Sequence, residues 1–177
     1  MSHALLAAAM QRVEAAFKRR PAAGLHDDEP ASARWDGGTR VVSSAAGVAQ
    51  ISTDMPVDIG GSGGHMTPGW LMRAGLASCA ATRIVMSAAA AGITLDALEV
   101  VARSRSDARG LLGMPDADGS PVFAGPGEVQ LLVRIRALGI GVEQLQALVE
   151  HSHRCSPVSA ALQAAVPVAL HIEVDAA

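Results

Sequence analysis

Residues 67–92 read TPGWLMRAGLASCAATRIVMSAAAAG, and the fold is decided there. Thr67 followed by Pro68 is a helix start: a threonine hydroxyl accepts from the first turn, and proline at the first helical position loses an N–H that has no partner anyway. From position 69 the one interior breaker is Gly75, and Gly92 supplies a left-handed stop. The spacing predicts a helix of roughly 24 residues, about 36 Å long at 1.5 Å per residue. It is apolar on almost every face, so it should be buried, between subunits if the chain is a dimer. Cys79 sits in its middle.

Working outward, residues 98–104 alternate as a strand, with Leu98, Val100 and Ala102 on one side. Residues 129–137 do so more clearly, with Val129, Leu131, Val133 and Ile135 facing in and Gln130, Arg134 and Arg136 facing out. Between them, residues 106–126 read as a long loop. A helix is expected over 142–151, with Val142, Leu145, Leu148 and Val149 on one stripe. Ser156-Pro157 repeats the cap-then-proline signature and opens a helix to about residue 166, with Cys155 at its mouth. Val168, Leu170, Ile172 and Val174 then alternate as a closing strand. Toward the N-terminus, residues 54–66 form a loop whose glycine run, 60–64, holds no regular structure. Residues 39–42 and 48–53 are β-prone around 43–47, which suggests a hairpin. Residues 20–38 read as an irregular arm. The first 20 residues carry Leu5, Leu6, Ala9, Met10, Val13 and Phe17 at helical spacing. The expected class is α+β, in the order β-β-α-β-β-α-α-β behind an N-terminal helix. Residues 1–38 read as an extension and 39–177 as the folded domain.

The composition narrows the function. Half of the 177 residues are hydrophobic but 2% are aromatic (Phe17, Phe123, Trp35 and Trp70), so the core must be built from small and aliphatic side chains. A formal net charge of −3 and the lack of a basic run leave nothing to attract a phosphate backbone. Nucleic acid is therefore not an expected partner. In the N-terminal segment the charges follow the apolar run, unlike a secretory signal. No uninterrupted apolar run is long enough to span a bilayer. A cytoplasmic location is expected, and two cysteines there are catalytic or regulatory rather than a permanent staple.

Two motifs resemble the OsmC/Ohr family of organic hydroperoxide reductases. One is TPGWLMRAGLASCAATRIVMSAAAAGITLDALEV (67–100), similar to the family's central helix with its reactive cysteine. The other is HRCSPVSAALQAAVPVALHIEV (153–174), similar to its second-cysteine segment. The likeness covers about residues 39–175. It implies an OsmC-like fold with mixed sheets wrapped around the cysteine-bearing helix, in an intertwined homodimer with active sites at the interface. It also implies a peroxidase with no cofactor: Cys79 attacks an organic hydroperoxide, Cys155 resolves the sulfenic acid, and a dithiol reductant resets the disulfide. The family's arginine maps onto Arg40, with Arg34 as the alternative.

Two positions depart from the pattern. Gly69 stands where the family commonly has a glutamate, ten residues before the reactive cysteine; Asp54 and Asp58 are the nearest carboxylates in sequence. Ser156 separates Cys155 from Pro157, where the family usually has cysteine and proline adjacent. Because the nucleophile must be a thiolate and a mid-helix position gains little from the dipole, Cys79 needs a cation. Arg83, one turn on, either supplies it or points to solvent or an aspartate. Gly69 leaves a rival open, a non-catalytic dimer of the same fold that binds an apolar small molecule. Met66, Trp70, Met72 and Met86 are either ordinary core or the lining of such a pocket. His151, His153 and Cys155, with His65, are a candidate metal set, but histidines at i and i+2 diverge on a helix, and no metal is expected. The 60–64 run lacks the residues of a phosphate loop and reads as a mobile lid or spacer.

Overall fold

The computed structural model describes residues 3–45 and 50–174. Five helices, α1 (His3–Arg19), α2 (Pro68–Ala90), α3 (Ala108–Leu111), α4 (Val142–Arg154) and α5 (Pro157–Ala164), accompany two small antiparallel sheets. One sheet is β1 (Ser32–Trp35), β2 (Val41–Ser44) and β3 (Ile51–Thr53) in that order; the other pairs β4 (Ala97–Arg105) with β5 (Gly127–Arg136). The α+β class is as expected.

Helix α2 begins and ends where its sequence says. Thr67 Oγ1 accepts from the Trp70 amide at 3.1 Å, and Pro68 occupies the first turn. At the far end Gly92 has φ +69°, its amide donates to Ala89, and the Ile93 amide donates to Ala88 at 2.8 Å. That is the paired-bond left-handed stop, complete with its apolar contact, because Ile93 and Ala88 share one buried cluster with Ala137 and Leu145. Within the protomer, however, α2 is not buried all round. Leu76, Ala80, Ile84 and Ala88 form a buried stripe, while Trp70 and Val85 are exposed. The stripe has a physical reason: β4, α4, α5 and α1 all pack on α2 from limited directions, and its alanines let them approach closely.

The β4–β5 pair keeps the expected facing from Leu131 onward, with Leu131, Val133 and Ile135 half-buried and Gln130, Arg134 and Arg136 exposed, while Val129, expected to face in, is exposed. Its ladder is bulged between Arg103 and Arg105, where Glu128 takes φ +49° on the opposite strand.

Four expectations are corrected. The arm 20–38 is not all irregular, since β1 lies within it and pairs with β2 from Ser32↔Ser44 to Trp35↔Val41. Every β1 residue is exposed, so no alternation marked it. The 106–126 loop contains the short helix α3, capped by the Asp107 carboxylate. The closing strand does not form: Val168, Leu170, Ile172 and Val174 are 93, 81, 74 and 85% exposed. Alternation gives a segment strand character but not a partner, and within one protomer residues 168–174 take neither open edge of β4–β5. The β2–β3 hairpin forms, although its turn at 46–49 lies outside the described residues.

The fourth concerns the glycine loop, which is tied down rather than a free lid. The buried Asp54 carboxylate accepts from the Ser62 hydroxyl (2.6 Å), the Ser62 amide (2.8 Å), the Met55 amide (2.8 Å) and the Thr39 hydroxyl. A Cβ on Gly61 would sit 1.8 Å from the Met55 carbonyl oxygen, so this crossing admits glycine alone. The Ser62 hydroxyl, then Thr39 and the two amides, hold the Asp54 carboxyl well below the usual carboxylate range against the opposing effect of burial.

Two outcomes follow. Thr67→Ala should lower stability by about 1 kcal/mol in urea unfolding, the usual loss for a removed N-cap. Asp54→Ala should lower Tm at neutral pH. A depressed carboxyl stabilises only where its unfolded form is ionised, so the wild-type advantage should be full above about pH 4 and shrink below it. A Tm difference that stays constant down to pH 2 would contradict this role.

Candidate active site

The long helix α2 and the junction between α4 and α5 bring the two cysteine segments together. Cys79 is half-buried, and its Sγ accepts a hydrogen bond from Ser156 Oγ at 3.3 Å. Ser156 is fully buried, with no exposed area, and its oxygen in turn accepts from Ser159 Oγ at 3.2 Å. Cys155 precedes it as the C-cap of α4, is exposed, and turns its thiol toward His151 Nε2 at 4.0 Å. Both thiols are free. The residue facing Cys79 is therefore Ser156, the one that separates Cys155 from Pro157. In the sequence it reads as the cap of the next helix; the signal that could have found its other role is Ser156-x-x-Ser159, two hydroxyls one turn apart at a helix start.

Among the described residues none of the expected cations is hydrogen-bonded to Cys79. Arg40 Nε donates to Asp36 Oδ2 at 2.8 Å and its Nη2 to the Asp36 carbonyl, fixing the β1–β2 turn. Arg34 is exposed on β1. The sheet carrying both makes no extensive contact with α2 within the protomer. Arg83 is neither fully in solvent nor paired with an aspartate: it lines a cleft between α1 and α4 with Glu14, Ser87 and His151. An arginine that sequence reading passed over, Arg73, lies over the first turn of α2. Its Nη1 would be 3.7 Å from a Cβ at Gly69 and donates to Ser104 Oγ at 3.3 Å. Position 69 thus has room for a side chain beside a guanidinium, but no carboxylate there to pair with it. Asp54 cannot substitute, being engaged by its own loop.

Beside Ser159 opens a largely apolar cavity of about 570 Å³. Met72, Leu76, Ala80 and Ile84 of α2 form one wall, Val129, Leu131 and Val133 of β5 another, and Ser159 and Leu162 of α5 a third. Of the four side chains considered for a pocket, Met72 lines it, Met66 and Trp70 are exposed outside it, and the half-buried Met86 does not line it either. Ser159 borders both the cavity and the cysteine cluster. His153 Nε2 meets Gln163 Nε2 at 3.0 Å, whereas His151 Nε2 is the ring nitrogen near Cys155. Among the described residues no group of three or more His, Cys, Asp or Glu converges as metal ligands, and no helix is long and apolar enough to cross a membrane.

The OsmC-like protein family model matches residues 61–171. Solved structures share the fold. An organic hydroperoxide resistance protein OsmC from Legionella pneumophila is 22% identical at a TM-score of 0.54, covering 78% of this chain and 91% of that one. An OsmC-like protein from Mycoplasma pneumoniae is 17% identical at 0.64, over 78% and 89%. An organic hydroperoxide resistance protein from Elizabethkingia anophelis is 24% identical at 0.59, over 78% and 90%. No curated protein matches the chain. The family match spans both cysteine segments and most of the elements that meet around them, and the chain belongs to the OsmC-like protein family.

Proposed function

We propose that this protein reduces organic hydroperoxides at Cys79, with Cys155 as resolving thiol, in oxidative-stress defence. The single observation that carries the reading is a half-buried thiol that accepts from the buried hydroxyl of Ser156, the residue after a second free thiol, whose own partner Ser159 lines an apolar cavity. Two of the structural relatives cited are named for organic hydroperoxide resistance.

The Cys79 thiolate attacks the distal oxygen of the hydroperoxide. The S–O bond forms as the O–O bond breaks, and the departing alkoxide takes a proton to leave as an alcohol. The Cys155 thiol then displaces water from the sulfenic acid, forming the disulfide. A dithiol reductant restores both thiols and is itself oxidised to a disulfide. Because Cys155 faces His151, resolution requires the α4–α5 junction to turn its thiol inward after oxidation.

A homodimer fits this chemistry. The unpaired 168–174 segment, the open edges of β4–β5 and the exposed faces of α2 are surfaces an intertwined partner would cover. The three-stranded sheet has no extensive seat on its own α2, so Arg40 is the candidate cation if dimerisation lays that sheet over the cysteine helix.

A second reading, an OsmC-like dimer that binds an apolar small molecule without turnover, is favoured by Gly69 and by the size of the cavity. Turnover separates the two. With a dithiol reductant the protein should consume cumene hydroperoxide, Cys79→Ser should reduce consumption to background, and Cys155→Ser should allow one equivalent per site and then stall. Consumption unchanged by Cys79→Ser would sink the peroxidase reading; a saturable apolar ligand with no consumption would support the second.

A further inference from the structure

The hydroxyl of Ser156 is placed against two local rules. It stands at the N-cap of α5, where a serine side chain normally accepts from the first-turn amides, yet it makes no capping hydrogen bond. It is also fully buried, in a setting where a hydroxyl must find a partner. Its proton goes instead to Cys79 Sγ at 3.3 Å.

Ser159 explains the direction. A serine hydroxyl has one proton to give and lone pairs to accept with. Ser159 Oγ, itself buried, donates to Ser156 Oγ at 3.2 Å, so Ser156 accepts from Ser159 and keeps its own proton for the sulfur. The relay Ser159→Ser156→Cys79 thus ends on the one atom that must be an anion to react. A donor aimed at a sulfur favours its charged form, and the effect grows where water is excluded.

We propose that Ser156, oriented by Ser159, is the hydrogen-bond donor that holds the Cys79 sulfur in its reactive anionic form. Among the described residues no arginine is hydrogen-bonded to Cys79 within one protomer: Arg40 is paired with Asp36, Arg73 reaches Ser104, and Arg83 lines the cleft between α1 and α4. Ser156 touches the reacting atom and is a catalytic residue in that sense; Ser159 is a positioning residue. The proposal rests on Cys79 being the reacting group of the preceding section, but not on hydroperoxide being its substrate.

Alkylation tests it without peroxide, so a failure here and a failure of peroxidase activity remain distinguishable. The full-length protein is treated with iodoacetamide at neutral pH, and modification of Cys79 and Cys155 is followed separately by peptide mass spectrometry. Ser156→Ala should slow Cys79 about tenfold or more, the scale of a hydrogen bond to a charged group. Ser156→Thr, which keeps a hydroxyl, should restore most of the rate, and Ser159→Ala should slow it less than Ser156→Ala. Ser152→Ala is the control, because Ser152 is equally buried but donates to the Leu148 carbonyl, and it should leave the rate unchanged. The proposal is overturned if Ser156→Ala labels Cys79 at the wild-type rate or faster, if threonine gives no rescue, or if Ser152→Ala slows Cys79 as much. Should Ser156→Ala not fold, Ser159→Ala decides: it removes only the orienting donor, and an unchanged rate overturns the relay.

Discussion

Close packing on one stripe of α2 is the constraint from which the rest of the structure follows. Leu76, Ala80, Ile84 and Ala88 recur every fourth residue, and α1, β4, α4 and α5 all rest against the helix that carries them. With aromatics at 2% of the chain, bulk cannot fill gaps, so the elements must come close, and alanine permits that approach. The Gly92 stop then turns the chain so that Ile93 returns to the same cluster and β4 starts in register with β5. A reactive centre built on α2 inherits this rigidity. The Cys79 thiol is carried mid-helix between two capped ends, and the α4–α5 junction is brought to it by the same packing.

The site that results is asymmetric. One thiol is half-buried and hydrogen-bonded by a serine whose own partner lines an apolar cavity; the other is exposed at a helix C-cap. Burial with a donor suits a group that must react selectively, and exposure suits one that must meet a reductant. Ser159 joins the two halves of the design, since it borders the cavity and orients the serine that touches Cys79. The separation of cysteine and proline by Ser156 is thereby more than a shift in spacing: it exchanges which side chain faces the sulfur.

Where structure is set by neighbours in sequence, it was legible. The Thr67-Pro68 start, the Gly92 stop, both alternating strands and the two later helices are written in local signals of hydroxyl, proline, glycine and period. Strand β1 was not legible, because its four residues are all exposed and its existence depends on pairing with β2. Residues 168–174 show the converse, a strand pattern that finds no edge within its own chain. Both cysteines could be singled out from the sequence, and the OsmC-like likeness of their segments is matched by the family model. The hydroxyl between them could not, because a serine before a proline reads as a cap, and nothing local reveals that its proton is used across the fold.

The central claim is that Cys79 is the sulfur that takes oxygen. Its most direct test is to expose the protein to one equivalent of an organic hydroperoxide with a sulfenic-acid-trapping 1,3-diketone present, then locate the adduct by peptide mass spectrometry. The account predicts the adduct on Cys79, increased in Cys155→Ser where no internal thiol competes for the sulfenic acid. An adduct on Cys155 alone, or none on either residue in that variant, would contradict it.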